Sequence, residues 1–362
     1  RDQSQSFTSF FAQSFGTPNY AAHGGFCSVN MAAAGIYTMG GAFWEFGQPD
    51  WDRTKLFMIF GVAEDHDSNP IKMGLGKLKE RGAKVIGVNP IRTGYNAIAD
   101  EWVGITPGTD GLFILSLVHC LMKAGKIDLD YLARFTDAPC LVNEDPASDE
   151  HGLILTNEAG KKLVIDRRTG KPEAYDTPGV QPDLSATYRH AGITHRPVLH
   201  HMADKYISDE FAPETVADKV GVDAKRIRAI AADLARVAFE EAIEIDREWT
   251  DFRGDKHAKM VGRPVAFHAM RGISAHSNGF QTCRALHLLQ IILGSVEVPG
   301  GFRFKPPYPK AATIHPKPHG KVTPGKPLDG PHLGFTHGPD DLLIDENGKP
   351  KRIDKAFSWE NP

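Results

Sequence analysis

Three predicted strands end in glycine and polar residues of the kinds that bind nucleotides. Gly61 follows the first strand, Arg92 lies just after the second, and Gly108 and Asp110 follow the third. A glycine lets a ligand approach the backbone, an arginine offers a forked donor to a phosphate, and a carboxylate can accept two hydrogen bonds from a guanine edge or a ribose. Ordinary turns and a helix cap would use the same residue types. The chain has neither G-x-G-x-x-G nor GxxxxGK[ST], which argues against a standard Rossmann or P-loop site.

A cysteine and an arginine in two other glycine-flanked segments could also take part in catalysis. Cys27 follows a pair of glycines, where it would be a thiolate ligand, a nucleophile or a small packed core residue. The polar segment 270–279 precedes an apolar helix, and the backbone N–H groups of such a loop can bind an anion. Arg284 lies one turn into that helix, where a buried guanidinium needs an anionic partner. A structural salt bridge is the alternative for Arg284.

The composition excludes several classes of protein. The 362 residues suggest about two domains, and 41% hydrophobic with 24% charged residues is typical of a soluble globular protein. A net charge of -3 argues against a nucleic-acid partner, and no apolar run approaches the roughly 18 residues of a membrane helix. The histidines lack metal-ligand spacing. The four cysteines are too scattered for a disulfide scaffold or a four-thiolate cluster: Cys27, Cys120, Cys140 and Cys283.

The elements that must position these residues form a strand–helix–strand pattern. Residues 56–61 and 84–88 are short apolar runs typical of buried parallel strands, and residues 70–80 between them have helical spacing. Residues 102–105 predict a third strand, and Asp110 is expected to cap a helix that runs to about residue 124. The predicted fold class is α/β: an open, mostly parallel sheet with helices on both faces, plus a second α/β region and an inserted hairpin.

The remaining segments predict a more varied organisation. Residues 153–165 predict a hairpin around a polar turn, and residues 216–242 predict helix with a restart near residue 222. A short strand is expected at 264–267, an apolar helix at 279–293, and an extended Pro/Gly/His-rich arm beyond residue 299. We expect four parts: an α/β dinucleotide-binding domain at 1–140, an insertion at 141–210, a second α/β segment completing the site at 211–302, and the arm at 303–362.

A series of short motifs follows one another along the chain. In order they are Gly16-Thr17-Pro18-Asn19 with Cys27, Phe60-Gly61 with Ser68-Asn69-Pro70, Gly82-Ala83-Lys84-Val85-Ile86, Asn89-Pro90 with Arg92-Thr93, Ala99-Asp100, Pro107-Gly108-Thr109-Asp110, Gly221-Val222 with Ile227, Gly294, and Pro299-Gly300-Gly301. Each motif alone is weak. The ordered set, over residues 1–140 and 210–302, resembles the molybdopterin oxidoreductase family, the DMSO reductase superfamily.

The resemblance implies a cofactor and a site. Two molybdopterin guanine dinucleotides would chelate one molybdenum or tungsten, and the protein would position and tune that group. Cys27 falls where the family's protein ligand to the metal lies, and a soft, charged thiolate would tune the potential. Arg284 matches an active-site arginine that steers an anionic substrate, with His276 as a second candidate. The residues expected to contact the cofactor are Gly61, Asn89, Arg92, Gly108, Asp110, Ser28 and Asn278.

Three positions depart from the family's pattern. Ser28 stands where formate dehydrogenases carry a His, which weakens a formate assignment; Asn89 replaces an Asp, and Ile91 separates Pro90 from Arg92. The chain is most similar to the branch that acts on sulfur oxyanions. We therefore expect two-electron oxidation of sulfite, with a thiosulfate or polysulfide reductase or a formate dehydrogenase as alternatives.

The resemblance also implies partners. Electrons would leave through a [4Fe–4S] cluster in a domain outside this chain, then through separate iron–sulfur and membrane-anchor subunits to quinone. We expect a cytoplasmic, membrane-associated enzyme, or a periplasmic one if a twin-arginine signal lies upstream. Because the chain begins with Arg1, we expect it to be an internal piece of a longer catalytic subunit.

Two other classes of protein are alternatives. The first is a non-catalytic nucleotide-binding or scaffold protein in which Cys27 is a packed core residue. The second is a nucleotide-dependent dehydrogenase, against which the missing glycine motif argues.

Overall fold

The computed structural model describes residues 29–41, 48–62 and 71–303, and also residues 8, 11, 12, 15–17 and 19. The chain divides into two compact units, each discontinuous in sequence. The smaller unit consists of residues 1–48, 269–287 and 304–362, and the larger unit of residues 49–268 and 288–303. The four-part division expected from the sequence stays a prediction.

The described residues form the following elements. The helices are α1 (Val29–Met39), α2 (Ile71–Glu80), α3 (Tyr95–Ile98), α4 (Asp110–Lys123), α5 (Leu129–Phe135), α6 (Val198–Tyr206), α7 (Pro213–Val220), α8 (Ala224–Ala235), α9 (Arg271–Ser274) and α10 (Gly279–Ile292). The strands are β1 (Gln48–Pro49), β2 (Leu56–Phe60), β3 (Lys84–Val88), β4 (Glu101–Val103), β5 (Leu141–Asn143), β6 (Leu163–Asp166), β7 (Lys171–Ala174), β8 (Tyr188–His190), β9 (Ile193–Pro197), β10 (Ile243–Ile245), β11 (Trp249–Thr250), β12 (Lys256–His257), β13 (Met260–Gly262), β14 (Val265–Ala269) and β15 (Phe302–Arg303).

The main sheet has the strand order β14-β2-β3-β4. Strands β2, β3 and β4 are parallel, with Phe60 opposite Val88 and Val88 opposite Val103. All residues of β2 are buried, as a continuous apolar run predicts for a strand covered on both faces. A mixed α/β fold with a parallel sheet and helices is therefore confirmed.

Helix α2 ends where the sequence predicts. Gly82 has a φ of 73°, a left-handed conformation that glycine adopts without strain. The N–H of Ala83 then donates to the carbonyl of Leu78 at 2.9 Å, which satisfies one carbonyl of the last turn. Directly after Gly82 and Ala83 the chain enters β3, which begins at Lys84.

The start of α4 differs by one residue from the prediction. Thr109 is the N-cap and Asp110 is the first helical residue, so Asp110 does not cap the helix. The reason is that the carbonyl of Thr109 already accepts from the N–H of Phe113 at 3.0 Å, which makes it the first carbonyl of the helical ladder.

The restart between α7 and α8 is confirmed. Gly221 has a φ of 71° and ends α7, and the carboxylate of Asp223 accepts from the N–H of Lys225 at 2.8 Å at the start of α8. A left-handed glycine followed by an Asp N-cap is a strong local stop-and-start signal.

The hairpin predicted around residues 157–160 is present, and a second hairpin follows it along the chain. Leu163 donates to the carbonyl of Leu155 at 3.0 Å, and Thr156 lies opposite Lys162 in an antiparallel bridge. In the second hairpin β6 pairs with β7, with Asp166 opposite Lys171. The turn between them closes because Gly170 has a φ of 66° and donates to the carbonyl of Asp166 at 2.8 Å. The sequence predicts the first of these two hairpins and not the second.

Contacts between distant segments hold the smaller unit together. The side-chain amide of Asn30 on α1 donates to the carbonyl of Ser274 on α9 at 2.8 Å. A Cβ at Gly279 would lie 2.0 Å from that carbonyl oxygen, so α10 can begin there only with a glycine. Beyond residue 303, the expected arm lies outside the described residues.

Candidate cofactor and substrate site

The carboxyl ends of β2 and β3 place Gly61 and Asn89 next to each other in register. Gly61 donates its N–H to the carbonyl of Val88 at 2.9 Å, and Asn89 donates to the carbonyl of Val103 at 3.1 Å. The parallel ladder therefore continues one residue past each strand. Gly61 has a φ of 64°, so the backbone turns away from the sheet there. This edge is where open α/β sheets bind ligands.

The loop after β3 is fixed by the polar groups of Asn89. Its side-chain oxygen accepts from the N–H of Ile91 at 3.3 Å, and its carbonyl accepts from Nε1 of Trp102 at 2.9 Å. Asn89 itself is only 5% exposed. Arg92 is exposed and has no hydrogen bond or ion pair within the described part of the chain, so its guanidinium is available to a ligand.

A residue that sequence reasoning missed, Asn96, connects the two loops. Its Nδ2 donates to the carbonyl of Val62 after β2 at 3.2 Å and to that of Thr93 after β3 at 3.4 Å. The amide is fully buried and lies over Gly87, whose Cβ would be 2.3 Å from Oδ1 of Asn96. A glycine inside a buried strand signals such a close approach, and Gly87 could have indicated it.

The segment after β4 presents Gly108 and Asp110. Gly108 has a φ of 80°, and no atom lies within 4 Å of the place where its Cβ would be. Asp110 is 7% exposed and is the first residue of α4, where the positive end of the helix dipole stabilises a carboxylate. Thr109 holds the turn, because its hydroxyl donates to the carbonyl of Thr106 at 2.7 Å.

These groups fit a guanine nucleotide. The segments that follow β2, β3 and β4 contain two glycines in left-handed conformations, an exposed guanidinium and a largely buried carboxylate. A glycine lets a phosphate approach the backbone, a guanidinium can donate to a phosphate, and a carboxylate can accept from the paired donors of guanine. The predicted residues Gly61, Asn89, Arg92, Gly108 and Asp110 all lie in loops or a helix start that follow the carboxyl ends of β2, β3 and β4.

Arg284 lies on α10 in the smaller unit without an acidic partner among the described residues. Its Nη1 donates to Oε1 of Gln281 at 3.2 Å, and its guanidinium lies 5.7 Å from the ring centroid of Phe280. Its Nε is buried and has no hydrogen-bond partner in that part of the chain. Since no ion pair involves Arg284 there either, a structural salt bridge within the described ranges does not account for it. A charged, partly desolvated donor with no anion fits an anionic ligand.

His276 and Asn278 lie in the loop that leads into α10. The carbonyl of His276 accepts from Gly279 at 2.9 Å, and that of Asn278 accepts from Thr282 at 3.0 Å. Both residues are exposed. Cys27 and Ser28 lie outside the described residues, so their roles stay predictions.

The three cysteines that the structure describes are thiols whose pKa is raised by burial. Burial raises the pKa of Cys120, that of Cys283, and that of Cys140 to about 12. In the described ranges no group of three or more His, Cys, Asp or Glu residues could hold a metal ion.

Comparison with known proteins identifies the family. The family model described as "Molybdopterin oxidoreductase" matches residues 3–353. The chain is 48% identical over 375 aligned residues, 100% of this chain and 39% of the other protein, to a sulfite dehydrogenase subunit of Allochromatium vinosum. The chain belongs to the molybdopterin oxidoreductase family. Membership implies a molybdenum or tungsten pterin cofactor.

Other relatives are more distant. A tetrathionate reductase subunit of Salmonella typhimurium is 23% identical, over 81% of this chain and 29% of that protein. Among solved structures, acetylene hydratase from Pelobacter acetylenicus is similar at a TM-score of 0.49 and 16% identity, over 83% of this chain and 29% of that one. The chain thus spans well under half the length of these relatives.

Proposed function

We propose that this chain is part of the catalytic subunit of a molybdenum or tungsten enzyme that oxidises sulfite to sulfate. The observation that carries the proposal is the 48% identity to the sulfite dehydrogenase subunit of Allochromatium vinosum, which extends over the whole of this chain. Two more distant relatives are a tetrathionate reductase and a thiosulfate reductase, which are also named for sulfur oxyanions.

The form of the pterin that suits the larger unit is the guanine dinucleotide. Gly61 and Gly108 would let the phosphates approach the backbone closely because they have no side chain, and Arg92 would donate hydrogen bonds to the phosphates from its guanidinium. Asn89 and Asp110 would bind the guanine edge or the ribose. When bound, the metal–pterin group supplies the two-electron redox chemistry. A second pterin guanine dinucleotide and a thiolate from Cys27 to the metal complete this proposal.

Arg284 would bind the substrate anion. Sulfite takes up the oxygen of one water and gives two electrons and two protons as it becomes sulfate, so both substrate and product are oxyanions. A guanidinium without a carboxylate partner can donate forked hydrogen bonds to either. His276, exposed in the loop before α10, would donate a further hydrogen bond to the same anion, and Ser28 and Asn278 would contact the cofactor.

The electrons would pass to partners. We assign the next step to a [4Fe–4S] cluster outside this chain, then to separate iron–sulfur and membrane-anchor subunits, which make the enzyme membrane-associated on the cytoplasmic side. The names of the relatives support a multi-subunit enzyme, since they designate single subunits. In the described part of the chain, no helix has the length and apolarity needed to cross a bilayer.

The test is a substrate panel on the purified holoenzyme that contains this chain. We expect sulfite-dependent reduction of an electron-accepting dye, and we expect Arg284→Ala to raise the KM for sulfite by about tenfold to a hundredfold, since a charge-assisted hydrogen bond is lost. The control is Arg53→Ala, an exposed arginine of the larger unit, with KM unchanged. Turnover of formate with no reaction on sulfite or thiosulfate would contradict the proposal.

A further inference from the structure

In the first two turns of α10, the side chain of Arg284 contacts the side chains of Gln281 and Phe280. Gln281 is exposed, Phe280 is half-buried, and the Arg284 guanidinium lies against both. The Arg284 contacts are 3.2 Å to the amide oxygen of Gln281 and 5.7 Å to the centroid of the Phe280 ring. Both contacts are with uncharged groups.

The choice of an amide at position 281 has an electrostatic consequence. Residues three apart on a helix are neighbours, so a Glu at this position would form an ion pair with Arg284. The amide oxygen of Gln281 accepts the same hydrogen bond but carries no net charge. The guanidinium is therefore oriented without being neutralised, and its full charge remains for a ligand.

The ring beneath the guanidinium is itself fixed. Tyr37 on α1 meets Phe280 edge to face, with ring centroids 5.7 Å apart and an interplanar angle of 88°. That arrangement is a favoured one for two aromatic rings. A cation over a ring face is attracted by the ring's quadrupole, which supports Arg284 but leaves its charge in place.

We propose that Gln281 and Phe280 are positioning residues that hold Arg284 as an unneutralised cation, and that this makes the site selective for oxyanions over neutral substrates. The inference rests on the proposed function in one respect, that Arg284 faces the substrate anion. It adds the reason for the selectivity: the two side chains that contact Arg284, one turn earlier on the helix, carry no charge.

The test measures anion binding as well as turnover. In the oxidised holoenzyme, the Kd of sulfate is determined by titration calorimetry, and KM and kcat for sulfite are determined in parallel. Gln281→Glu should weaken sulfate binding by about tenfold and raise the KM for sulfite to a similar degree, because a carboxylate three residues away neutralises Arg284. The kcat should change by less than about threefold, since Gln281 orients the binding group and does not touch the reacting atoms.

The matched control is Gln281→Met, which has the same length and no charge. It should weaken sulfate binding by about two- to threefold, because the hydrogen bond that orients Arg284 is lost while its charge is kept, and so by clearly less than Gln281→Glu. Phe280→Leu, which keeps an apolar residue but removes the ring, should weaken sulfate binding by about two- to fivefold. Because position 281 is exposed, both Gln281 variants should show the unfolding temperature of the parent within a few degrees.

The inference would be overturned if Gln281→Glu and Gln281→Met changed the sulfate Kd equally, or if Gln281→Glu left that Kd unchanged. It would also be overturned if the parent enzyme did not bind sulfate. If the parent binds sulfate, loses that binding in Gln281→Glu, and does not turn over sulfite, the inference stands and the proposed function fails.

Discussion

Among single residues, Asp251 is a heavily bonded carboxylate of the larger unit. Its side chain is fully buried, and its Oδ2 accepts from Nη1 of Arg134 at 2.7 Å and from Nε2 of His257 at 3.0 Å. Its Oδ1 accepts from the backbone N–H groups of Arg253 and Asp255, each at 3.0 Å. Burial by itself would raise the pKa of Asp251, but these hydrogen bonds outweigh it and lower the pKa to about 2.

Because of the lowered pKa of Asp251, the free energy of unfolding of the protein should depend on pH. A carboxyl whose folded pKa lies below its ordinary value of 3.8 stabilises the protein fully above that value. The contribution is lost as the pH falls from about 4 towards about 2. We expect Asp251→Asn to lower the free energy of unfolding by about 3 kcal/mol at pH 7, because Arg134 is left partly buried without this anion.

The measurement is urea denaturation of the two proteins between pH 7 and pH 3. The difference between parent and Asp251→Asn should shrink as the pH falls below about 4. The control is Asp149→Asn, an exposed aspartate, which should stay within about 0.5 kcal/mol of the parent. A stability gap for Asp251→Asn that is independent of pH would show that the carboxylate charge is not the cause.

Among the elements, helix α2 packs closely against Trp51, which lies in the loop between β1 and β2. Gly74 is buried, and a Cβ there would lie 2.5 Å from the ring of Trp51. Gly76 lies two residues further on, is exposed, and has no atom within 4 Å of its Cβ position. The same helix therefore needs one glycine for packing, whereas the other is unconstrained.

Replacement by alanine should change the free energy of unfolding in opposite directions at the two glycines of α2. Gly74→Ala should destabilise the protein by about 1–3 kcal/mol, since the indole ring must shift in a packed site. Gly76→Ala should stabilise it by about 0.5–1 kcal/mol, because alanine has the higher helix propensity. Thermal unfolding of the two variants checks both, and a stabilised Gly74→Ala variant would show that Trp51 does not pack there.

At the scale of the elements, much of the fold follows from the sequence. The buried strands β2 and β3, the helix between them and the stop at Gly82 depend on local apolar runs and a local turn. The hairpin around residues 157–160 lies where the sequence predicts. The start of α4 lies one residue before the predicted cap, because it depends on which carbonyl begins the helical hydrogen-bond ladder. Composition does not encode that choice.

For the whole molecule, the least predictable features depend on contacts between residues far apart in sequence. The hydrogen bond from Asn30 to Ser274 joins residues 244 positions apart, and no local pattern indicates it. The same holds for Asn96, whose role is visible only when the loops after β2 and β3 are both in place. In contrast, Gly61, Asn89 and Asp110 could be assigned to one edge because parallel strands end together.

The most direct test of the molybdopterin assignment is the metal and nucleotide content of the purified holoenzyme. We predict close to one molybdenum or tungsten per chain and two guanine nucleotides released with the pterin by acid. Cys27→Ala should lower or alter the metal content, since a thiolate ligand is lost. Asp110→Ala should lower the guanine nucleotide content. Protein that folds but contains neither metal nor acid-released pterin fluorescence would contradict the assignment.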